Sequence, residues 1–157
     1  MNENNANDFN KNVLIAVDAS DNARRAVAYV GWMLGGMPGC HVTLLHVIPD
    51  PEEDYFPDDA ERDAWIQGYR ARMNEVLHEY RSMLTSAGFP DDAVDMRTPA
   101  RYCPSMAECI LAERDKRTYG TIVVGRQGLS RKEEFLFGSI SSKIVNHAQD
   151  CSVWVVA

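Results

Sequence analysis

The 157-residue chain carries 16 basic and 23 acidic side chains, a formal charge of -7. That length supports one substantial core, and the negative balance opposes non-specific association with nucleic acid or an anionic membrane surface. The longest apolar runs, VLIAV and SVWVVA, fall far short of the ~20 residues of a membrane helix, so neither nucleic acid nor a membrane is an expected partner.

Residues 1–11, MNENNANDFNK, are polar and Asn-rich and lack the apolar core of a secretory signal. They read as a disordered tail before a single domain over 12–157, with a cytoplasmic location. NVLIAVD, from Asn12, is the first of five apolar runs; HVTLLHV, AVDMRT, YGTIVVG and CSVWVVA follow. Near-continuous Val, Ile and Leu in the first, second, fourth and fifth is the pattern of parallel strands covered on both faces.

Helical patterns fill the gaps. Ala23, Ala26, Val27, Val30, Met33 and Leu34 recur at helical spacing after a plausible N-cap, Ser20, with Gly35 and Gly36 closing the element. IPDPEEDYFPDDAERD, rich in Pro and acid, reads as a surface loop or lid at 49–63. A second helix runs through Ile66, Tyr69, Met73, Val76, Leu77, Tyr80 and Leu84, stopping at Gly88. Ser105 and Glu108 have capping-box spacing for a third, and SISSKIVNHA forms a fourth with Ile140, Ile144, Val145 and Ala148 on one stripe. Strands alternating with helices predict a doubly wound α/β domain.

Cys40, Cys103, Cys109 and Cys151 are irregularly spaced, with no Cys-x-x-Cys pair and no His at ligand spacing. Reduced, partly buried thiols are expected, without a zinc site or a disulfide frame, and Cys109 is expected to face the core as a small hydrophobe. His46, on an apolar strand, is expected to be a packed, hydrogen-bonded sheet residue and not a catalyst.

Open α/β sheets bind ligands beyond the carboxyl ends of the strands, where strand order reverses. Asp18 ends the first strand and Gly125 the fourth, so both point to one crevice. Bare backbone at Gly125, Gly128 and Gly138 lets N–H donors approach a phosphate, and Ser139 adds a hydroxyl at a helix N-terminus. Neither G-x-x-x-x-G-K-[ST] nor a G-x-G-x-x-G after the first strand is present, and no nucleophile elbow or Ser–His–acid set can be nominated, so no catalytic residue is assigned.

The spacing Gly125-x2-Gly128-x9-Gly138-Ser139, with VLIAVDAS, VTLLHV and CSVWVV, resembles the ATP-binding branch of the universal stress protein family over residues 12–157. The resemblance implies a three-layer α/β/α fold of the adenine nucleotide alpha hydrolase-like kind, with a five-stranded parallel sheet in the order 3-2-1-4-5. It implies ATP at the carboxyl edge, with Asp18 at the ribose or the phosphate-bound metal and Val17 and Val47 bordering adenine. Ala16, Val124, Arg126 and Ile140 flank the nucleotide, Gly125 and Gly128 approach ribose and phosphate, and Gly138, Ser139 and Ser141 hold the phosphate tail. Magnesium comes with the nucleotide and not with a protein cage. A homodimer through the final strand, and a further protein partner of unknown identity, are likewise implied.

This sequence departs from the family at Ala19, which stands where glycine is frequent, and at TPARYCP, which replaces a short glycine-containing turn beside the pocket. Glu133 and Glu134 oppose a triphosphate, and Arg126, Arg131 and Lys132 offset them locally. Plain alternatives stay open: Asp18 and Ser139 as helix caps, and the glycines as turn residues. The same fold also serves a protein-interaction member without ATP, or a slow ATP-hydrolysing enzyme.

Overall fold

Residues 10–51, 55–126 and 139–157 are described by the structure, a computed structural model. Five strands, β1 (Asn12–Ala16), β2 (His41–Leu45), β4 (Val94–Arg97), β6 (Thr121–Gly125) and β7 (Ser152–Val156), form one sheet in the order β4-β2-β1-β6-β7. Every neighbouring pair is parallel. Counted among themselves these strands lie 3-2-1-4-5, the expected order.

Alternate residues feed two cores, as a parallel sheet covered on both faces requires. Val13, Ile15, Val42, Leu44 and Val123 face α1 (Asp21–Leu34) and α2 (Asp59–Ser86). Leu14, Leu45, Ile122 and Val124 face α3 (Met106–Asp115) and α4 (Ser139–His147). Each helix on the first face buries a stripe: Ala23, Ala26, Val27 and Val30 on α1, and Ile66, Met73, Leu77, Tyr80 and Leu84 on α2.

The predicted caps act as drawn. The Ser20 hydroxyl accepts from Ala23 N–H at 3.1 Å, and Ser105 accepts from Glu108 N–H at 3.2 Å. Asp18 is not the cap of α1; its carboxylate accepts from Ser20 N–H at 2.9 Å and holds the turn before the helix. Gly88 lies at φ +117, and a Cβ there would meet Gly36 N at 2.8 Å, so glycine is required where α2 ends against the α1 terminus.

Three features differ from the sequence expectations. The acidic stretch assigned to a loop through Asp63 is already helical from Asp59. Asp58 caps it by accepting from Glu61 N–H at 2.8 Å, and Asp59 and Glu61 sit in its first turn, where acidic groups favour the helix dipole. A second, two-stranded ladder joins β3 (Ile48–Pro49) to β5 (Ala100–Arg101); each strand is too short, and too close to a proline, to carry a periodic signal. The third concerns the thiols. Cys103 and Cys109 are joined by a disulfide, with Cα atoms 5.7 Å apart, while Cys40 and Cys151 are free. The turn through Pro104 into α3 folds the chain back on itself and brings the two sulfurs together, a geometry that cysteine spacing alone does not encode.

Among the described residues no helix is long and apolar enough to cross a membrane.

Candidate functional site

Strand order reverses between β1 and β6: the chain builds outward from β1 through β2 to β4, then returns to lay β6 and β7 on the other side. Neighbouring loops leave the sheet in opposite directions at that point and open a crevice. A cavity of about 310 Å³ occupies it, the size of a small-molecule site.

Ala16, Val17, Asp18, Val47, Val124, Gly125, Arg126, Ile140 and Ser141, all nominated from sequence, line this cavity. Ser139, also nominated, is the first residue of α4. Gly128 and Gly138 lie outside the described residues, as do Arg131, Lys132, Glu133 and Glu134.

Backbone bonds lock the walls. Val17 N–H donates to Leu45 C=O at 2.8 Å, His46 N–H to Arg97 C=O at 2.9 Å, and Arg126 N–H to Val156 C=O at 2.7 Å. Gly125 has a packing reason to be glycine: a Cβ would lie 2.6 Å from Asn22 O and 2.8 Å from Asn22 C, on the backbone of α1. Close strand–helix approach therefore demands this residue whether or not a ligand is near.

The sequence missed the side of the cavity supplied by helices. Tyr69 of α2 and Met106 and Ile110 of α3 line it, with Pro49 at the end of β3. Met106 and Ile110 are four apart and so share a helix face, but nothing in their types marks that face as a ligand wall.

His46 also lines the cavity, and both of its ring nitrogens are engaged within the protein. Nδ1 lies 2.7 Å from Val17 O. A carbonyl only accepts, so Nδ1 carries the hydrogen, and Nε2 lies in hydrogen-bond contact with the Tyr69 hydroxyl at 3.2 Å. The Tyr69 ring stacks on the imidazole, centroids 5.6 Å apart. His46 is thus the packed, hydrogen-bonded residue its surroundings predicted.

Asp18 projects at the mouth, and its position is fixed from beneath. Tyr80, 2% exposed, donates its hydroxyl to Asp18 C=O at 2.7 Å. Burial first, then the charges of Asp18 and Glu79, push the Tyr80 phenol up to about 12, which keeps it a donor at neutral pH.

A family model described as the universal stress protein family matches residues 10–157. A Staphylococcus aureus (strain USA300) protein provisionally named a universal stress protein is 31% identical over 151 residues, covering 93% of this chain and 83% of that protein. Among solved structures, a Burkholderia pseudomallei protein from the universal stress protein family matches with a TM-score of 0.70 at 16% identity, covering 95% of this chain and 97% of that one. The Archaeoglobus fulgidus universal stress protein in complex with dAMP matches with a TM-score of 0.63 at 18% identity, covering 95% and 99%.

Proposed function

This chain belongs to the universal stress protein family, and from that premise we propose that its cavity is an adenine-nucleotide site, occupied by ATP with magnesium, in a cytoplasmic regulatory dimer. The observation that carries this reading is the convergence of nine sequence-nominated residues, Val17, Asp18, Val47 and Gly125 among them, on one cavity at the strand-order reversal. The Archaeoglobus fulgidus protein of the same fold was solved with dAMP, which supports an adenine nucleotide as the ligand class.

In this reading Val17 and Val47 border the base, Asp18 meets the ribose or the metal, and Arg126, Ser141 and the start of α4 take the phosphates. Among the described residues no cluster of three His, Cys, Asp or Glu could hold a metal. In this reading magnesium comes with the phosphates, and the Asp18 carboxylate of the cavity lining is the protein group that would meet it. Binding, and not turnover, is the proposed task. The dimer is proposed through β7, which stands at the sheet edge with Val155 exposed.

The test is to denature freshly purified protein, identify released small molecules by mass spectrometry, and titrate the emptied protein with ATP and magnesium by calorimetry. Release of an adenine nucleotide, or ATP binding that weakens at least about tenfold in Asp18→Ala, a loss of roughly one charge-assisted contact, is expected. Absence of both a released nucleotide and binding heat at millimolar ATP would leave the protein-interaction form of the fold in its place.

A further inference from the structure

The Cys103–Cys109 disulfide lies between two walls of the cavity. One wall is β3, whose Pro49 lines the cavity and whose main chain is tied to β5: Ile48 N–H donates to Pro99 C=O and Asp50 N–H to Arg101 C=O, each at 2.8 Å. The other wall is the first turns of α3, where Met106 and Ile110 line the cavity. Cys103 follows β5 by two residues, and Cys109 sits on α3 beside Ile110. The bond therefore couples the β3–β5 ladder to the helix that faces it.

The two ends of the staple differ in burial. Cys109 is 2% exposed and packs in the core cluster that contains Leu45, Val47 and Ile110. Cys103 is half-buried, next to exposed Tyr102 and Pro104. The β3–β5 ladder is only two residue pairs long. With the disulfide open, the Cys103 end keeps the Arg101–Glu113 ion pair and its partial packing on the core as its ties to α3, while the Cys109 end stays seated in the core.

We propose that Cys103–Cys109 is a reversible thiol–disulfide exchange site, with a dithiol as reductant, that sets the gap between the β3–β5 wall and the α3 wall of the cavity. A thiolate of the dithiol attacks the accessible Cys103 sulfur, a mixed disulfide forms and Cys109 leaves as a thiolate. The second thiol of the reductant then attacks its own bridged sulfur and releases Cys103. The protein disulfide gains two electrons, the dithiol becomes a disulfide, and both cysteines end as thiols once protonated. Disulfides in a reducing cytoplasm are characteristically sensing or catalytic, so a staple at a cavity wall suits a response protein. The consequence for ATP rests on the nucleotide reading above; the consequence for the wall does not.

The experiment uses the full chain purified without reductant. Thiols are counted by alkylation in denaturant, before and after dithiothreitol, and native hydrogen exchange and ATP titration are run on both forms. Two free thiols, Cys40 and Cys151, are expected before reduction and four after. Reduction is expected to speed amide exchange at 48–50 and 101–106 by about tenfold, as a local opening does, and to leave β1 and β6 unchanged. ATP affinity should fall by about threefold or more, because one more wall segment must be ordered on binding. Cys103→Ser should behave as the reduced form and ignore dithiothreitol.

Four thiols in the untreated protein overturn the proposal. So does unchanged exchange at 48–50 on reduction, or acceleration across the whole sheet, which would make the bond a global brace. If the wall loosens as expected but neither form binds ATP, the exchange site stands and the nucleotide reading fails.

Discussion

Tyr80→Phe isolates one hydroxyl. The phenol is buried and donates to Asp18 C=O at 2.7 Å, with Ser20 C=O a longer second acceptor at 3.4 Å. Removing the donor leaves a carbonyl short of a partner beside an apolar ring, a cost of about 1–2 kcal/mol at neutral pH. The same phenol titrates at about 12 against an ordinary 10.0. A folded-state pKa raised in this way contributes stability that is fully present below pH 10 and is lost as pH climbs toward 12. Two units correspond to about 3 kcal/mol in all, and the wild type gives up about 1.4 kcal/mol between neutral pH and pH 11, about 1 kcal/mol of it above pH 10. The variant has no such group and gives up none of it, while every other tyrosine titrates equally in both proteins and cancels. Urea unfolding of the pair from pH 7 to 11.5 should therefore show a wild-type advantage of about 1–2 kcal/mol that shrinks to zero near pH 11 and then changes sign. A difference that stays constant across that range would show that the buried phenol does not hold its proton as the packing requires.

Glu113 has no exposed surface and faces Arg97, Arg101 and Lys116 at 3.2, 3.1 and 2.7 Å. Burial would raise its carboxyl, but the Lys116 hydrogen bond and charge, with Arg101 and Arg97, outweigh that and hold it below the ordinary 4.5. Glu113→Gln leaves three cations without a counter-charge; because they reach water in part, a loss of about 2 kcal/mol is expected in urea at pH 7. A depressed carboxylate stabilises above its unfolded value, so this contribution should fade in the wild type as pH falls below 4.5 and be absent from the variant's acid limb; parallel acid limbs would sink the assignment. Gly125→Ala forces a Cβ into the Asn22 carbonyl at 2.6 Å and should cost about 1–3 kcal/mol by thermal melting without any ligand present; a melt within half a degree of wild type would mean that α1 yields freely.

The half of the site that was legible in sequence is the half built from strand ends. Val17, Asp18, Val47, Val124 and Gly125 sit where apolar runs stop, and a parallel α/β sheet delivers its strand ends to one edge whatever the helices do. The disulfide and the β3–β5 ladder were not legible, because a turn through Pro104 and two residue pairs leave no periodic trace. The helical wall was hidden for a different reason. Tyr69 and Tyr80 read as ordinary members of an amphipathic stripe, and their role depends on which main-chain atoms that stripe meets. They are eleven positions apart on α2, just over three turns, and so lie on one face. Tyr69 reaches Val17 C=O through His46, and Tyr80 reaches Asp18 C=O directly. Two successive carbonyls at the end of β1 are thus held from a single helix face, so a ligand that shifts Val17 or Asp18 must either stretch those bonds or carry α2 with it. Sequence periodicity identifies the face; only the register of β1 against α2 shows that the cavity's polar edge is suspended from it.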